Sequence, residues 1–346
     1  MHPTRTLRPL RAAGLLLALA FASAAALQAA TPPPAGYQAM VDALTRASES
    51  VVGVQVTAAE GARSAETLGR QRQGSGVVIG PEGLILTIGY LMLEADTIQV
   101  VTHDHRNLPA RPVAYDLATG FGLIRPLLPL RGIPAAPLGS AANLKTGEPV
   151  VTIVGGHGGD VSLTQLVSKR PFSGYWEYHI ESALFTSPPV GNHSGAPLFN
   201  QRGELLGVGS LFVGDALGDN RRVPGNMFVP VDLLKPILAE MQQTGSTRLS
   251  RRPWLGLSSA EQGGRIQVVR VNKDSPAEAA GIAPGDVVLA IDGAEVSTLE
   301  AFYKKLWARP HPDDEVRLTI LQGAEIRQLT LKGVDRMSTM RRPSGI

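Results

Sequence analysis

A chain of 346 residues is too long for one ordinary hydrophobic core and implies two or three domains. Hydrophobic residues make up 43% of it and charged residues 18%, which excludes a disordered polymer, and the absence of cysteine excludes disulfides, thiolate metal sites and a cysteine nucleophile. Basic residues number 33 against 30 acidic ones, but setting aside Arg5, Arg8 and Arg11 of the leading segment leaves 30 against 30, which excludes a nucleic-acid footprint. With 38 Gly and 26 Pro against 3 Trp, 6 Tyr and 8 Phe, the composition suits a turn-rich, mainly β protein.

In chain order, residues 1–30 read as a secretory signal: a basic start, the apolar stretch Gly14–Ala20, and small residues from Ala24 to Ala30 where cleavage is expected. The product would then be periplasmic. The alternative is an uncleaved helix, Ala12 to Ala30, anchoring the chain to the inner membrane. Residues 31–50 follow as a Pro-rich linker, which cannot be helical, and a helix from Tyr37 to Ala47 carrying Met40, Leu44 and Ala47 at helical spacing. From Val51 to residue 242 the pattern changes to short β-branched runs cut by Gly, Pro and Asn: Val51–Val56, Gly76–Ile79, Ile98–Val101, Val150–Val154 and Leu205–Val208. Many short strands at close spacing predict a barrel or sandwich, closed here by a helix over Val231–Met241. Residues 243–252 are polar and read as an exposed linker. A compact block over 253–335 then combines strands near Gln267–Val271, Val287–Ile291, Val316–Leu321 and Ile326–Leu331 with helices at Pro276–Ala280 and Leu299–Trp307. Residues 336–346, with Arg336, Arg341 and Arg342, form a small basic tail.

The C-terminal block opens on Trp254-Leu-Gly-Leu257 and continues with Asp274-Ser-Pro-Ala-Glu-Ala-Ala-Gly-Ile-Ala-Pro-Gly-Asp-Val-Val-Leu-Ala-Ile-Asp-Gly293. These stretches resemble the PDZ domains of bacterial periplasmic proteases. A hydrophobic-Gly-hydrophobic loop can turn its backbone N–H groups toward a terminal carboxylate while the peptide adds as a strand beside it. By that resemblance Trp254, Leu255, Gly256 and Leu257 form the carboxylate loop, and Leu299, Phe302 and Leu306 are the apolar stripe of the groove helix, unless those three side chains serve only as core.

Three stretches in the larger block resemble the HtrA/Deg family of trypsin-fold serine proteases. They are Gly74–Thr87 with Ile88–Asp96, then Tyr115–Ile124, then Gly191-Asn-His-Ser-Gly-Ala-Pro-Leu-Phe-Asn200, followed by Gly203–Val208 and Met227–Asp232. The resemblance implies a mainly β chain: a trypsin-like double β-barrel followed by a small α+β PDZ domain. It also places Ser194 at the nucleophile, Tyr90 where the family has its histidine base, and Gly120 where it has the orienting aspartate, with Asp116 at a structural aspartate. The oxyanion hole would be formed at Asn192 and Ser194, with Asn192 in place of a glycine; a one-residue insertion there is the other alignment.

A serine hydroxyl is a poor nucleophile until a neighbouring base takes its proton, and a phenol with a pKa of about 10 stays protonated at neutral pH. Losing the base of such a triad costs roughly 10⁶-fold in turnover and leaves about 10³ over water. The leading expectation is therefore a pseudoprotease that binds hydrophobic protein C-termini or unfolded envelope proteins. Two alternatives stand beside it. One is a working endopeptidase using Ser194 with a relocated base, for which His193, His103, His105 and His157 are the available histidines. The other is a regulatory subunit that co-assembles, as a homo-trimer or with an active paralogue, through the segment near Tyr37. No cofactor, metal or nucleic-acid partner is expected; His103-Asp104-His105 is a thin case for a metal, and no Gly-rich phosphate loop follows a strand.

Overall fold

The computed structural model describes residues 37–218 and 221–341, so the leading segment read as a signal or anchor lies outside the described residues. Helix α1 (Tyr37–Glu49) leads into a first barrel. Its strands are β1 (Val51–Ala58), β2 (Gln71–Val78), β3 (Ile85–Ile88), β4 (Ala95–Val101), β5 (Asn107–Tyr115) and β6 (Phe121–Pro126), closed in the order β1-β2-β3-β6-β5-β4, with the one-turn helix α2 (Ala65–Leu68) between β1 and β2. The strands of a second barrel are β7 (Pro149–Val154), β8 (Asp160–Gly174), β9 (Tyr178–Ser187), β10 (Pro197–Phe199), β11 (Leu205–Val213) and β12 (Gly225–Pro230), closed in the order β10-β11-β12-β9-β8-β7. Strands that alternate inward apolar residues fill each barrel and abolish its edges. Val52, Val54 and Ile85 pack inside the first, and Leu166, Leu184 and Phe228 inside the second.

The expected helix over Val231–Met241 is two pieces: a 3₁₀ turn at Val231–Leu233 and α3 (Leu238–Thr244). Pro236 explains the break, since it donates no N–H, its ring clashes with the preceding turn and it disfavours helical backbone at Lys235. Helix α3 ends at Gly245, whose φ of +78° allows its N–H to cap Met241 O.

The C-terminal block holds a sheet with β14 (Leu257–Gln262) at one edge, followed by β15 (Arg265–Val271), β16 (Val287–Ile291), β18 (Glu315–Gln322) and β19 (Glu325–Lys332). The short β17 (Ala294–Glu295) pairs with β16, and β13 (Pro253–Trp254) pairs with β20 (Val334–Asp335). Helices α4 (Pro276–Ala279) and α5 (Leu299–Leu306) begin at Ser275 and Thr298, whose hydroxyls accept from the backbone N–H three residues on. The mainly β reading holds.

Two segments differ from their sequence reading. Residues 243–252 are not a free tether. Thr247 and Ser250 are buried, and both hydroxyls donate to the carboxylate of Asp116, which also accepts from Thr119 N at 2.8 Å and Thr119 Oγ1 at 2.6 Å. Arg252 lays its guanidinium 3.5 Å from the centre of the Trp307 ring. Nor is the basic tail free: Arg336–Thr339 form a 3₁₀ turn, and Arg341 N donates to Glu94 of the first barrel at 3.0 Å. Hydroxyls and guanidinia read as solvated in the sequence are donors to buried acceptors far away in the chain.

Replacing Asp116 by Ala strands three buried hydroxyls (Thr119, Thr247 and Ser250) and the Thr119 amide, each costing about 1–3 kcal/mol. The expected result is a loss of at least about 3 kcal/mol, read as a lower thermal midpoint together with faster proteolysis between residues 243 and 252.

Candidate active site

Ser194 stands just before β10, on a loop laced against the first barrel. Ser75 N donates to Ser194 O at 2.8 Å, Thr87 Oγ1 donates to Ser75 O at 2.7 Å, and Gly155 N donates to Ser75 Oγ at 3.0 Å. Two glycines permit this approach. A Cβ at Gly195, where φ is +74°, would come 2.1 Å from Ser75 O, and one at Gly74 would come 2.5 Å from Ser194 O. Asn192 takes φ +51°, a left-handed conformation that asparagine tolerates better than most residues.

Tyr90 enters from the first barrel on the 3₁₀ turn Gly89–Met92 that follows β3. The buried Arg72 side chain fixes this turn by donating to Tyr90 O at 3.1 Å and Leu93 O at 2.7 Å. Gly89 N donates to Gly120 O at 2.7 Å, and a Cβ at Gly89 would strike the Tyr115 ring at 2.1 Å. The Tyr90 hydroxyl then lies 2.6 Å from Ser194 Oγ and 2.9 Å from Ser210 O. A phenol has one proton, and a carbonyl oxygen can only accept. With Tyr90 donating to Ser210 O, the Ser194 hydroxyl is left to donate to a neutral phenol oxygen. Burial raises the Tyr90 pKa further, outweighing the opposing hydrogen bond with Ser194.

At Gly120, where the sequence resemblance expects the orienting aspartate, a side chain would have little room. Gly120 has φ +83°, and a Cβ there would meet the Tyr178 hydroxyl at 3.2 Å. That hydroxyl donates to Thr119 O at 2.6 Å. The neighbouring Asp116 faces the linker instead. A cavity of about 470 Å³ opens beside Tyr90, Gly120, His193 and Ser210, and Trp254, Arg270 and Asp274 of the C-terminal block line its other side.

Comparison with known proteins places this geometry. Residues 74–208 match the trypsin-like peptidase domain family, and residues 253–332 match the PDZ domain family. A protein named a probable periplasmic serine endoprotease DegP-like, from Hahella chejuensis, is 28% identical over 273 residues, covering 74% of this chain and 55% of its own. The putative serine protease HhoA of Synechocystis is 26% identical over 285 residues, covering 75% of this chain and 70% of its own.

The chain belongs to the HtrA/Deg family.

It spans little more than half the length of the DegP-like relatives. The solved HtrA-type protease AlgW with tripeptide shares its fold, with a TM-score of 0.52 and 23% identity over 88% of this chain and 98% of that one. Among the described residues, no helix is long and apolar enough to cross a membrane. The DegP-like relatives are named as periplasmic serine endoproteases.

The remaining candidate residues divide as follows. The Trp254–Leu257 loop is buried, and the N–H groups of Leu255, Gly256 and Leu257 all point at the carboxylate of Glu177. Phe302 and Leu306 are fully buried in the core of the C-terminal block, while Leu299 also borders a hollow against the Gly174–Trp176 segment. Of the spare histidines, His193 alone lines the active-site cavity. Its pKa is lowered by burial, against a hydrogen bond to the Val190 backbone. His105 and His157 stack on each other at 5.3 Å between ring centres. Asp104 bonds Thr102 and Arg106. His179, Glu181 and Glu300 also come together, a grouping absent from the sequence reading, but the Lys304 ammonium already sits 2.9 Å from Glu181 and 2.7 Å from Glu300. Glu177 and Tyr303 were missed too; the one sequence signal was a single acidic residue inside the aromatic run Tyr175-Trp-Glu-Tyr178.

Two outcomes follow. Because the Tyr90 phenol ionises only above its ordinary value of about 10, Ser194 is expected to stay unlabelled by a fluorophosphonate at every pH from about 6 to about 9. Tyr90→His alone restores a base but not its orientation, and an unoriented imidazole runs about 10⁴-fold slow. Casein turnover by that variant is therefore expected to lie at least about 10³-fold below that of an intact HtrA protease.

Proposed function

We propose that this chain is a catalytically silent HtrA relative of the cell envelope whose activity is binding. Its barrels keep the shape of a protease without its chemistry, and its PDZ domain takes hydrophobic C-termini of unfolded or partner envelope proteins. The observation that carries the reading is the Tyr90 hydroxyl 2.6 Å from Ser194 Oγ, with a glycine instead of a carboxylate behind it. A nucleophile whose acceptor is a neutral phenol keeps its proton, and among the described residues no oriented base stands by to carry it to a leaving group. The bounds that accompany this reading are a signal at 1–30, a protease-like domain at 51–242 and a PDZ domain at 253–335.

The relocated-base alternative finds little support: the histidine that lines the cavity adjoins Ser194 in the chain and bonds the Val190 backbone. The test is degradation of unfolded casein by the full chain, with and without a hydrophobic C-terminal peptide, beside Ser194→Ala. No loss of casein by either protein is the expected result. Degradation that requires Ser194 would sink the reading and direct mutagenesis to His193.

A further inference from the structure

Strands β8 and β9 form a long hairpin whose last pair is Gly174 with Tyr178, leaving the tip Tyr175-Trp176-Glu177. That tip leaves the second barrel and enters the C-terminal block as a peptide would. Gly256 N and Leu257 N each donate to Glu177 Oε1 at 2.8 Å, and Leu255 N donates to Oε2 at 3.1 Å. Two residues back, Tyr175 O accepts from Ser259 N of the edge strand β14 at 2.9 Å, a strand-addition contact. From the opposite wall, the Tyr303 hydroxyl of α5 donates to Gly174 O at 2.8 Å and accepts from Glu177 N at 3.2 Å. The carboxylate loop, the sheet edge and the groove helix are thus all engaged by one internal segment.

The hairpin's own geometry says that the glutamate is not incidental. In a three-residue hairpin the last position commonly takes left-handed backbone and is commonly glycine. Glu177 holds φ +61° there, a conformation that costs a residue with a Cβ on the order of 1 kcal/mol. It is also 4% exposed, and burial pushes its carboxyl up to about 7 against the three amide donors and Arg336. Arg252, Arg336, Tyr178 and Tyr303 surround it.

We propose that Glu177 is an internal stand-in for a C-terminal carboxylate, so that the hairpin tip occupies the PDZ groove and any external peptide binds by displacing it. This deepens the proposed function and rests on its reading of the Trp254–Leu257 loop as the peptide's carboxylate site. A tethered competitor lowers the apparent affinity by the fraction of time the groove is free, so a groove docked about 90% of the time binds tenfold more weakly than an open one. Displacement also removes Tyr175, Trp176 and Glu177 from the wall of the cavity beside Tyr90.

The test uses the full chain, Glu177→Ala and Glu177→Gln, the last retaining the length and one acceptor oxygen. The probes are a fluorescent decapeptide with a hydrophobic, free C-terminus and the same peptide amidated. Hydrogen exchange of the Leu255, Gly256 and Leu257 amides is read in parallel. The free-acid peptide is expected to bind Glu177→Ala at least about tenfold tighter than the unchanged chain, with Glu177→Gln between them, the amidated peptide weak throughout and the three amides exchanging faster in the variants. Measurable but equal affinities in all three chains overturn the proposal. If no chain binds either peptide while Glu177→Ala still frees the amides, the docked carboxylate stands and the peptide-binding reading falls instead.

Discussion

The arrangement depends on one buried carboxylate. Asp116 accepts from the Thr119 backbone and hydroxyl and so shapes the turn that ends at Gly120, whose N–H donates to Asp116 O at 2.7 Å. The carbonyl of Gly120 then receives Gly89 N, which sets the start of the turn carrying Tyr90. The other lone pairs of Asp116 take Thr247 and Ser250, fixing the segment that leads into the C-terminal block. A buried charge is tolerated only when its oxygens are satisfied, so the partners are held as a set and the network couples parts that share no core. Through Asp116 the position of the Tyr90 turn and the course of the chain toward the PDZ domain become one structural fact.

On the proposed reading, the exchanges at the triad positions are coupled in space. Tyr90 alone would be a single exchange of base for phenol. Gly120, with the Tyr178 hydroxyl 3.2 Å from where a Cβ would stand, offers no orienting group either. Reversing one change leaves the others in place, since a new histidine at 90 would find no carboxylate behind it. A new aspartate at 120 would adopt an unfavourable backbone conformation and press on a hydroxyl already bonded to Thr119 O.

Much of this was legible in the sequence. Short β-branched runs give the barrels because alternation and turn residues act locally, and counting along each motif assigns Ser194, Tyr90 and Gly120 to the positions on which the proposed reading rests. What escaped reading is polar and long-range. Pro236 splits the expected helix by a local rule, but Thr247 bonds Asp116 across 131 positions and Leu255 bonds Glu177 across 78. No periodicity records which hydroxyl in a polar linker will meet a buried carboxylate, because the partner is set only once both barrels have closed.

Two kinds of contact join the C-terminal block to the barrels. The bridges Arg63–Asp274, Arg270–Glu66 and Lys304–Glu181 join exposed side chains, and such pairs are screened by salt and contribute little individually. The hairpin tip is different, for it buries Glu177 against three amides and two arginines. Its charge was removed from water at a desolvation cost that amide donors only partly offset, which is why its carboxyl is harder to ionise there than in solvent. A contact of that kind adds little net stability yet tolerates few substitutes, since the loop's three converging N–H groups demand an acceptor. The groove is therefore specific for a carboxylate without being bound to keep this one. The linker held by Asp116 restrains the block on the barrels, so the glutamate competes from close range with any carboxylate that arrives from outside.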